Sequence, residues 1–554
     1  MAVLDVLDHL DDPVPPPVAP RVPDGLPRPP DDREKYRHLG RQTLWVPFVQ
    51  LLTAAAISWS TFRFVMHIPF AEIFWVPLAV SAVGAILSFV TTIPHRRDSE
   101  WGHDVRVALT DRRSWPSVDV FLPSCGEDLS VLGNTFHWVS LVRWPGRLQV
   151  HVLDDSGRDE VARLSSEFGF IYHSRADRGR LKKAGNLQYG FERTDGDLIA
   201  VFDADFCPRA DFLTELVPYC DEPDVGIVQS PQYFDVDRSM NWVQQCAAAN
   251  QEYFYRWVQP ARDAADAAVC VGTNALYRRT ALAGIGGFAE IDHSEDVYTG
   301  VHLIAAGYRT RYVPVILAKG LCPDAVDPFV SQQYRWCVGS LSLLFSRQFH
   351  TSRMSLRQRL CFWAGFLYYV STALDLLLGI LPVMIMGLFF PGRVHAGNYV
   401  LAASAVLACL LVQPVLTSGR GSLLGLARTQ VLCGFAHATA LWDVVRRRPA
   451  GWVPTGSSGR GGLATRVRSA MVGYHLAFQL GLWTVFAWRA PQYGLGSYWP
   501  VAVVALAHLV VAAPLWRGTW VADGLGRGWA AVPTPWPGRG AAPTTVAPVD
   551  EVAV

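Results

Sequence analysis

Two short acidic strings carry the residue types that could share a cation. Asp203-Ala204-Asp205 follows an apolar run at 198–202, and Asp154-Asp155 follows another at 148–153. Two carboxylates one residue apart at a strand end can hold a hard divalent cation, which in turn binds phosphate oxygens. Alone, either string equally suits a solvated turn or a helix cap. A third acid-bearing turn, Ser124-Cys125-Gly126-Glu127, follows the run at 118–123. Repetition at three strand ends favours the cation. Lys183-Ala184-Gly185-Asn186 lies between two of these turns, with Arg178, Arg180 and Lys182 close by. A lysine and small residues at a helix start bring a cation and backbone amides to a diphosphate, although a solvated helix face has the same composition.

Further along, Val271-Gly272-Thr273-Asn274-Ala275 reads as a tight strand-to-turn segment, and Gly286-Gly287-Phe288 leads to Ser294-Glu295-Asp296. An acid so far from the cation turns can serve as general base on an acceptor hydroxyl. The helical periodicity of 297–303 allows the plainer reading that both acids favour a helix N-terminus. Gln332-Gln333-Tyr334-Arg335-Trp336 then sets an arginine, which grips phosphate with parallel hydrogen bonds, beside an indole on which a sugar ring can stack.

The elements positioning these residues alternate. Strands at 118–123, 148–153 and 197–202 are separated by helical patterns, which describes a mostly parallel α/β sheet with its ligand beyond the carboxyl ends of the strands. The 554 residues are 50% apolar and only 18% charged, which favours a membrane protein with one large domain. A net charge of +1 gives no basis for nucleic acid as a partner. Ten cysteines lack Cys-x-x-Cys spacing, so neither a zinc site nor a disulfide framework is expected. Residues 1–42 are rich in Pro and Asp and lack the charged and apolar regions of a signal peptide, so a disordered tail is expected. Residues 517–554 form a C-terminal tail, which reads similarly from about Pro533.

Six stretches are long enough to cross a bilayer: 44–64, 73–93, 361–390, 399–416, 471–488 and 498–516. Basic residues orient them. Arg33, Lys35, Arg37 and Arg41 precede the first, Arg96, Arg97, Arg106, Arg112 and Arg113 follow the second, and Arg446, Arg447, Arg448, Arg466 and Arg468 lie between the fourth and fifth. The opposite connections carry only Arg393 and Arg489. Both termini and the large domain are therefore expected in the cytosol, below a plasma (inner) membrane crossed several times. Residues 425–445 carry Arg428, Gln430, His437 and Asp443 and read as an interfacial amphipathic helix. The basic stretch 341–360 is also expected on the membrane surface.

Taken in order, Pro123-Ser124-Cys125-Gly126-Glu127, Leu153-Asp154-Asp155-Ser156-Gly157, Lys183-Ala184-Gly185-Asn186, Asp203-Ala204-Asp205, Ser294-Glu295-Asp296 and Gln332-x-x-Arg335-Trp336 resemble the processive family 2 glycosyltransferases of the cellulose synthase and hyaluronan synthase type. The resemblance implies a GT-A domain at 95–345. Two transmembrane helices at 43–94 would precede it, and interfacial helices, a gating-like loop and about four more spans at 346–516 would follow. It implies transfer of a sugar from a nucleotide donor, usually UDP-linked and by likeness UDP-glucose, onto a growing β-linked polysaccharide that crosses the membrane. By carry-over Glu127, Asp154 and Asp155 contact the uridine, and Asp203 and Asp205 hold Mg²⁺ or Mn²⁺ against the diphosphate. Lys183, Gln332 and Arg335 neutralise it, Asp296 is the base, and Trp336 stacks on the acceptor. Accessory secretion subunits are possible partners.

Departures from that pattern leave the sugar open. The usual Phe-x-Val-Thr-x-Lys gating loop is matched by Gly451-Trp452-Val453-Pro454-Thr455-Gly456-Ser457, without the lysine and with an intruding proline. Ser294 stands where threonine is usual, two early spans replace the typical four, and the stretch after 516 is too short for a cyclic di-GMP-binding domain. A transferase adding one sugar to a lipid, or a polymer of N-acetylglucosamine or mannose, remains the alternative. Tyr368, Tyr369, Asp375, Gln413, His475, Gln479, Trp483 and His508 lie within the spans, where they could line a glycan path or bond helix to helix.

Overall fold

The computed structural model describes residues 25–39, 45–69, 71–93, 98–110, 115–448 and 462–516. The loop 451–457, the flanking basic residues Arg41, Arg96, Arg97, Arg112 and Arg113, and the segments 1–24 and 517–554 lie outside the described residues. Helices α1 (Trp45–His67) and α2 (Trp75–Thr92) come first. The domain between them and the later helices holds ten strands: β1 (Val118–Ser124), β2 (Leu148–Asp154), β3 (Ile171–His173), β4 (Leu198–Val201), β5 (Phe206–Pro208), β6 (Val225–Gln229), β7 (Tyr233–Phe234), β8 (Ala275–Arg278), β9 (Arg309–Tyr312) and β10 (Ala318–Gly320). Five of its helices matter for the site: α3 (Lys182–Arg193), α4 (Trp242–Tyr253), α5 (Gln259–Asp263), α6 (Glu295–Ala305) and α7 (Val326–Leu344). The described residues end with α8 (Leu356–Phe389), α9 (Gly397–Leu416), α10 (Leu423–Val445), α11 (Gly462–Tyr493) and α12 (Leu495–Trp516).

Seven strands form one sheet in the order β3-β2-β1-β4-β8-β6-β9. All seven residues of β1 are buried, as a strand covered on both faces requires. Its parallel register sets Ser124 beside Asp154 of β2 and Phe121 beside Val201 of β4. The turns after β1, β2 and β4 therefore open along one edge. β8 runs antiparallel between β4 and β6, so the small-residue turn before it reaches the same edge. β5, β10 and β7 form a second, three-stranded sheet.

Among the described residues six helices are long and apolar enough to cross a membrane: Trp45–His67, Ala71–Thr92, Leu356–Phe389, Tyr399–Leu416, Gly462–Tyr493 and Leu495–Trp516. Leu52, Ile86, Leu407, Leu480 and Val503 are exposed on their outer faces, where lipid would cover them. α10 is not among the six, and it packs Leu432, Cys433 and Ala436 against Val326, Phe329 and Val330 of α7. Tyr334 of α7 donates to Asp443 of α10 (2.7 Å), which also holds Arg466 of α11 (2.7 Å). Several polar groups of the spans bond helix to helix: Asp375 accepts from Ser81 (3.0 Å), His475 meets His508 (2.6 Å), and Gln479 meets His508 (2.9 Å).

One expectation needs correction. Residues 25–39, expected in a disordered tail, pack on the domain. Leu26 is buried, Lys35 pairs with Glu215 (2.7 Å), Arg209 with Asp32 (2.8 Å) and Lys319 with Glu34 (2.9 Å). Composition misses such a segment because its partners lie far away in the chain and its prolines suit an extended path. The basic stretch 341–360, expected on the membrane surface, spans several elements. It is divided between the end of α7, a five-residue helix Arg347–Thr351 and the start of α8.

Candidate active site

The site begins at the end of β4. Asp203 anchors its backbone N–H on the Thr273 hydroxyl (2.8 Å) from the turn before β8. Its carboxylate accepts from Lys183 Nζ, which also donates to the Gly272 carbonyl (2.9 Å) and lies 3.9 Å from Glu295. Leu181 and Lys182 both take left-handed backbone angles (φ 53° and 48°) where α3 begins, a costly entry for residues other than glycine. It delivers Lys183 to the acids at the first turn.

Among the described residues Asp205 forms no ion pair, and Lys183 acts on it more weakly than its acidic neighbours do. Burial, then Asp203 and Glu127, push its carboxyl up to about 7. Burial likewise raises Glu127, with Asp203 adding to the effect, although Glu127 accepts the Cys125 N–H (2.6 Å). Among the described residues no group of three or more His, Cys, Asp or Glu has metal-binding spacing. A carboxylate whose charge is disfavoured by its neighbour fits a cation completed by substrate phosphates better than an all-protein cage.

Two further segments converge here. Ser294, at φ 58°, packs against Gly339 of α7, where a β-carbon would collide with its hydroxyl. Asp296 packs on Gly272, where a β-carbon would lie 2.9 Å from its own, and it accepts the Val297 N–H (2.8 Å). Burial and then Glu295 push the Asp296 carboxyl upward, with Lys183 opposing. Arg335 reaches the same acids. Burial lowers its guanidinium, and Asp203 and Glu295 work against that. Gln332 and Trp336 flank it on α7, both half-buried.

The turn after β2 divides its two acids. Asp154 accepts from the Ser156 N–H (2.9 Å) and hydroxyl (2.5 Å), the Arg158 N–H (2.9 Å) and the Tyr172 hydroxyl (3.0 Å), so its carboxylate holds the turn. Asp155 gives one oxygen to Arg175 (2.8 Å), while its Oδ2 is buried without a hydrogen-bond partner among the described residues. Cys125 lies among Asp155, Glu127 and Asp154, and its thiol is pushed up to about 11 by burial and then by those acids. The basic neighbours of Lys183 scatter. Arg180 pairs with Asp177 at the surface (3.5 Å), Arg178 packs on Gly157, and Lys182 faces Asp292 and Arg335. Thr273, Arg175 and Gly339 escape sequence reasoning, because each acts through a contact distant in the chain.

Residues 198–415 match the family described as glycosyl transferase family group 2. That match takes in the candidate site from Asp203 to Trp336. The sheet is mostly parallel, with acid-bearing turns along one edge. The cellulose synthase catalytic subunit [UDP-forming] of Xanthomonas axonopodis pv. citri (strain 306) is 33% identical over 266 residues, 47% of this chain and 36% of that one. The subunit of the same name from Pseudomonas fluorescens (strain SBW25) is 30% identical over 375 residues, 66% of this chain and 48% of that one. This chain thus spans less than half the length of these relatives. Among solved structures, a mannosyltransferase of Pyrobaculum calidifontis in complex with GDP-Man and Mn²⁺ is 16% identical with a TM-score of 0.47, covering 66% of this chain and 98% of that one.

Proposed function

We propose that this protein is a membrane-embedded, inverting glycosyltransferase that moves a sugar from a UDP-linked donor onto a growing β-linked polysaccharide and passes the chain across the membrane. The reading is supported above all by the convergence of Lys183, Asp203, Glu295, Asp296 and Arg335, groups from four separate elements, at one end of the sheet. Glucose is the favoured sugar, because the relatives are named as UDP-forming cellulose synthases.

The unpartnered Oδ2 of Asp155 is suited to accept a ring N–H of the nucleotide base, in a turn that Asp154 and Glu127 stiffen. Asp203 and Asp205 would hold Mg²⁺ or Mn²⁺, which when bound supplies Lewis-acid neutralisation of the diphosphate. Lys183, Arg335 and Gln332 donate to the same phosphate oxygens and stabilise the charge that grows as the sugar departs. Trp336 stacks on the terminal acceptor sugar. Asp296 takes the proton from the acceptor hydroxyl as its oxygen bonds to the anomeric carbon and the bond from that carbon to the diphosphate oxygen breaks. One displacement turns an α-linked donor into a β-linkage.

The spans and their basic flanks support a multi-pass plasma (inner) membrane protein with the domain and both termini in the cytosol. Accessory secretion subunits would receive the product. The test is UDP release by the full-length chain across a panel of UDP-sugars, with Mg²⁺ or Mn²⁺, followed by sizing of the product. Release with one donor and a long polymer is expected. No release from any donor overturns the reading, and a single-sugar lipid product overturns the processive part.

A further inference from the structure

Buried charges in this protein are generally matched. Arg311 takes two carboxylates, Asp98 and Asp263, and Lys35 sits on Glu215. Arg262, just before Asp263 in α5, differs. The residue is 8% exposed, and its surroundings include Cys361, Tyr369 and Tyr253 but no acid among the described residues. The acids nearest in sequence are committed elsewhere: Asp263 to Arg311 and the Tyr312 N–H (2.8 Å), and Asp266 to Arg309 (3.7 Å). A guanidinium so little exposed, with no acid to neutralise it, is costly. Some other molecule is suited to supply the oxygens.

The place where Arg262 sits indicates which. A β-carbon on Gly365 would lie 2.7 Å from its Nη2, so the guanidinium rests on the bare backbone of α8. Tyr369, one turn further along α8, adjoins Cys337 and Ser340 of α7 and meets the His437 ring of α10 edge-on (centroids 4.9 Å). Ser340 follows Trp336 by one helical turn, about 6 Å along the axis on the same face. Trp336, Ser340, Tyr369 and Arg262 thus form a succession leading from the candidate site to the junction of the domain with the helices. Trp336, Ser340, Tyr369, Gly365 and Tyr253 are all half-exposed, although several helices meet there.

We propose that Arg262 binds the growing glycan, donating hydrogen bonds to its oxygens at a subsite beyond Trp336. The proposal rests on the glycosyltransferase reading above. A guanidinium is a planar fork of donors with no acceptor, and it is weakly hydrated. A sugar chain is a dense row of oxygens whose rings pack against tyrosine faces. Lysine keeps the charge but lacks the fork.

The experiment uses the full-length protein in lipid nanodiscs, with whichever UDP-sugar gives UDP release in the panel above. Product length, donor KM and thermal midpoint are measured for wild type, Arg262→Lys, Arg262→Met and Gly365→Ala. Arg262→Met is expected to shorten the product about tenfold, the effect of losing a charged hydrogen bond, with donor KM unchanged. Arg262→Lys should fall between, and Gly365→Ala, which keeps the arginine and only displaces its fork, should shorten the product to a smaller degree. Product length unchanged in both Arg262→Met and Gly365→Ala overturns the proposal, as does a rise in donor KM matched by a lowered midpoint, which marks a structural role. Absence of UDP release in the wild type overturns the underlying reading instead.

Discussion

Lys183 is the residue around which the candidate site is balanced. It meets Asp203 and lies near Glu295, while Asp205 is left among like charges. Asp296→Asn removes the proposed base and changes little else, so turnover should fall by about 10²–10⁴ while UDP still binds, as measured by UDP release and by nucleotide titration. The raised acids give a pH prediction. Asp205 goes from an ordinary value near 3.8 to about 7 on folding. The folded chain therefore keeps a proton that the unfolded chain has lost, and stability falls as pH rises from about 4 through about 7. A divalent cation held by the proposed Asp203 and Asp205 pair would restore it. Thermal midpoints with and without excess Mg²⁺ should differ more at about pH 8 than at about pH 5; an equal effect at both would contradict the assignment of Asp203 and Asp205.

At the scale of elements, α7 delivers Arg335 to the acids and closes on Ser294 through Gly339. Gly339→Ala drives a methyl into the Ser294 hydroxyl and shifts the segment carrying Glu295 and Asp296. Displacing a catalytic group by even about 1 Å can cost about 100-fold, so kcat should drop steeply with the circular dichroism of the helices intact. The strand ends were legible in the sequence, because fully buried apolar runs in a parallel sheet stay in register and present their following turns together. The partners that orient those turns were not. Nothing near Arg175 announces that it holds Asp155, and Ser294 gives no local sign that it needs a glycine 45 positions later. The polar residues of the spans were open between two readings, and interhelical bonds account for Asp375, His475, Gln479 and His508.

Across the whole molecule, the segment before the first span ties the domain to the chain's N-terminal side. Lys35 and Glu215 are both buried, and Glu215 also meets His103 (2.6 Å). Lys35→Met leaves that carboxylate short of a cation and should destabilise the domain by about 3 kcal/mol, read as a lowered thermal midpoint in detergent; an unchanged midpoint would show that the segment is not part of the folded domain. The sequence by itself determined the acid-bearing turns, the alternation of strands and helices, and the six apolar helices. Each follows from local chemistry, namely the periodicity of burial and the length needed to cross lipid. Only the tertiary structure decided that Asp154 braces its turn while Asp155 keeps an oxygen free, that residues 25–39 pack on the domain, and that Arg262 is buried with no acid beside it. These depend on which distant groups meet, and local pattern carries no record of a partner elsewhere in the chain.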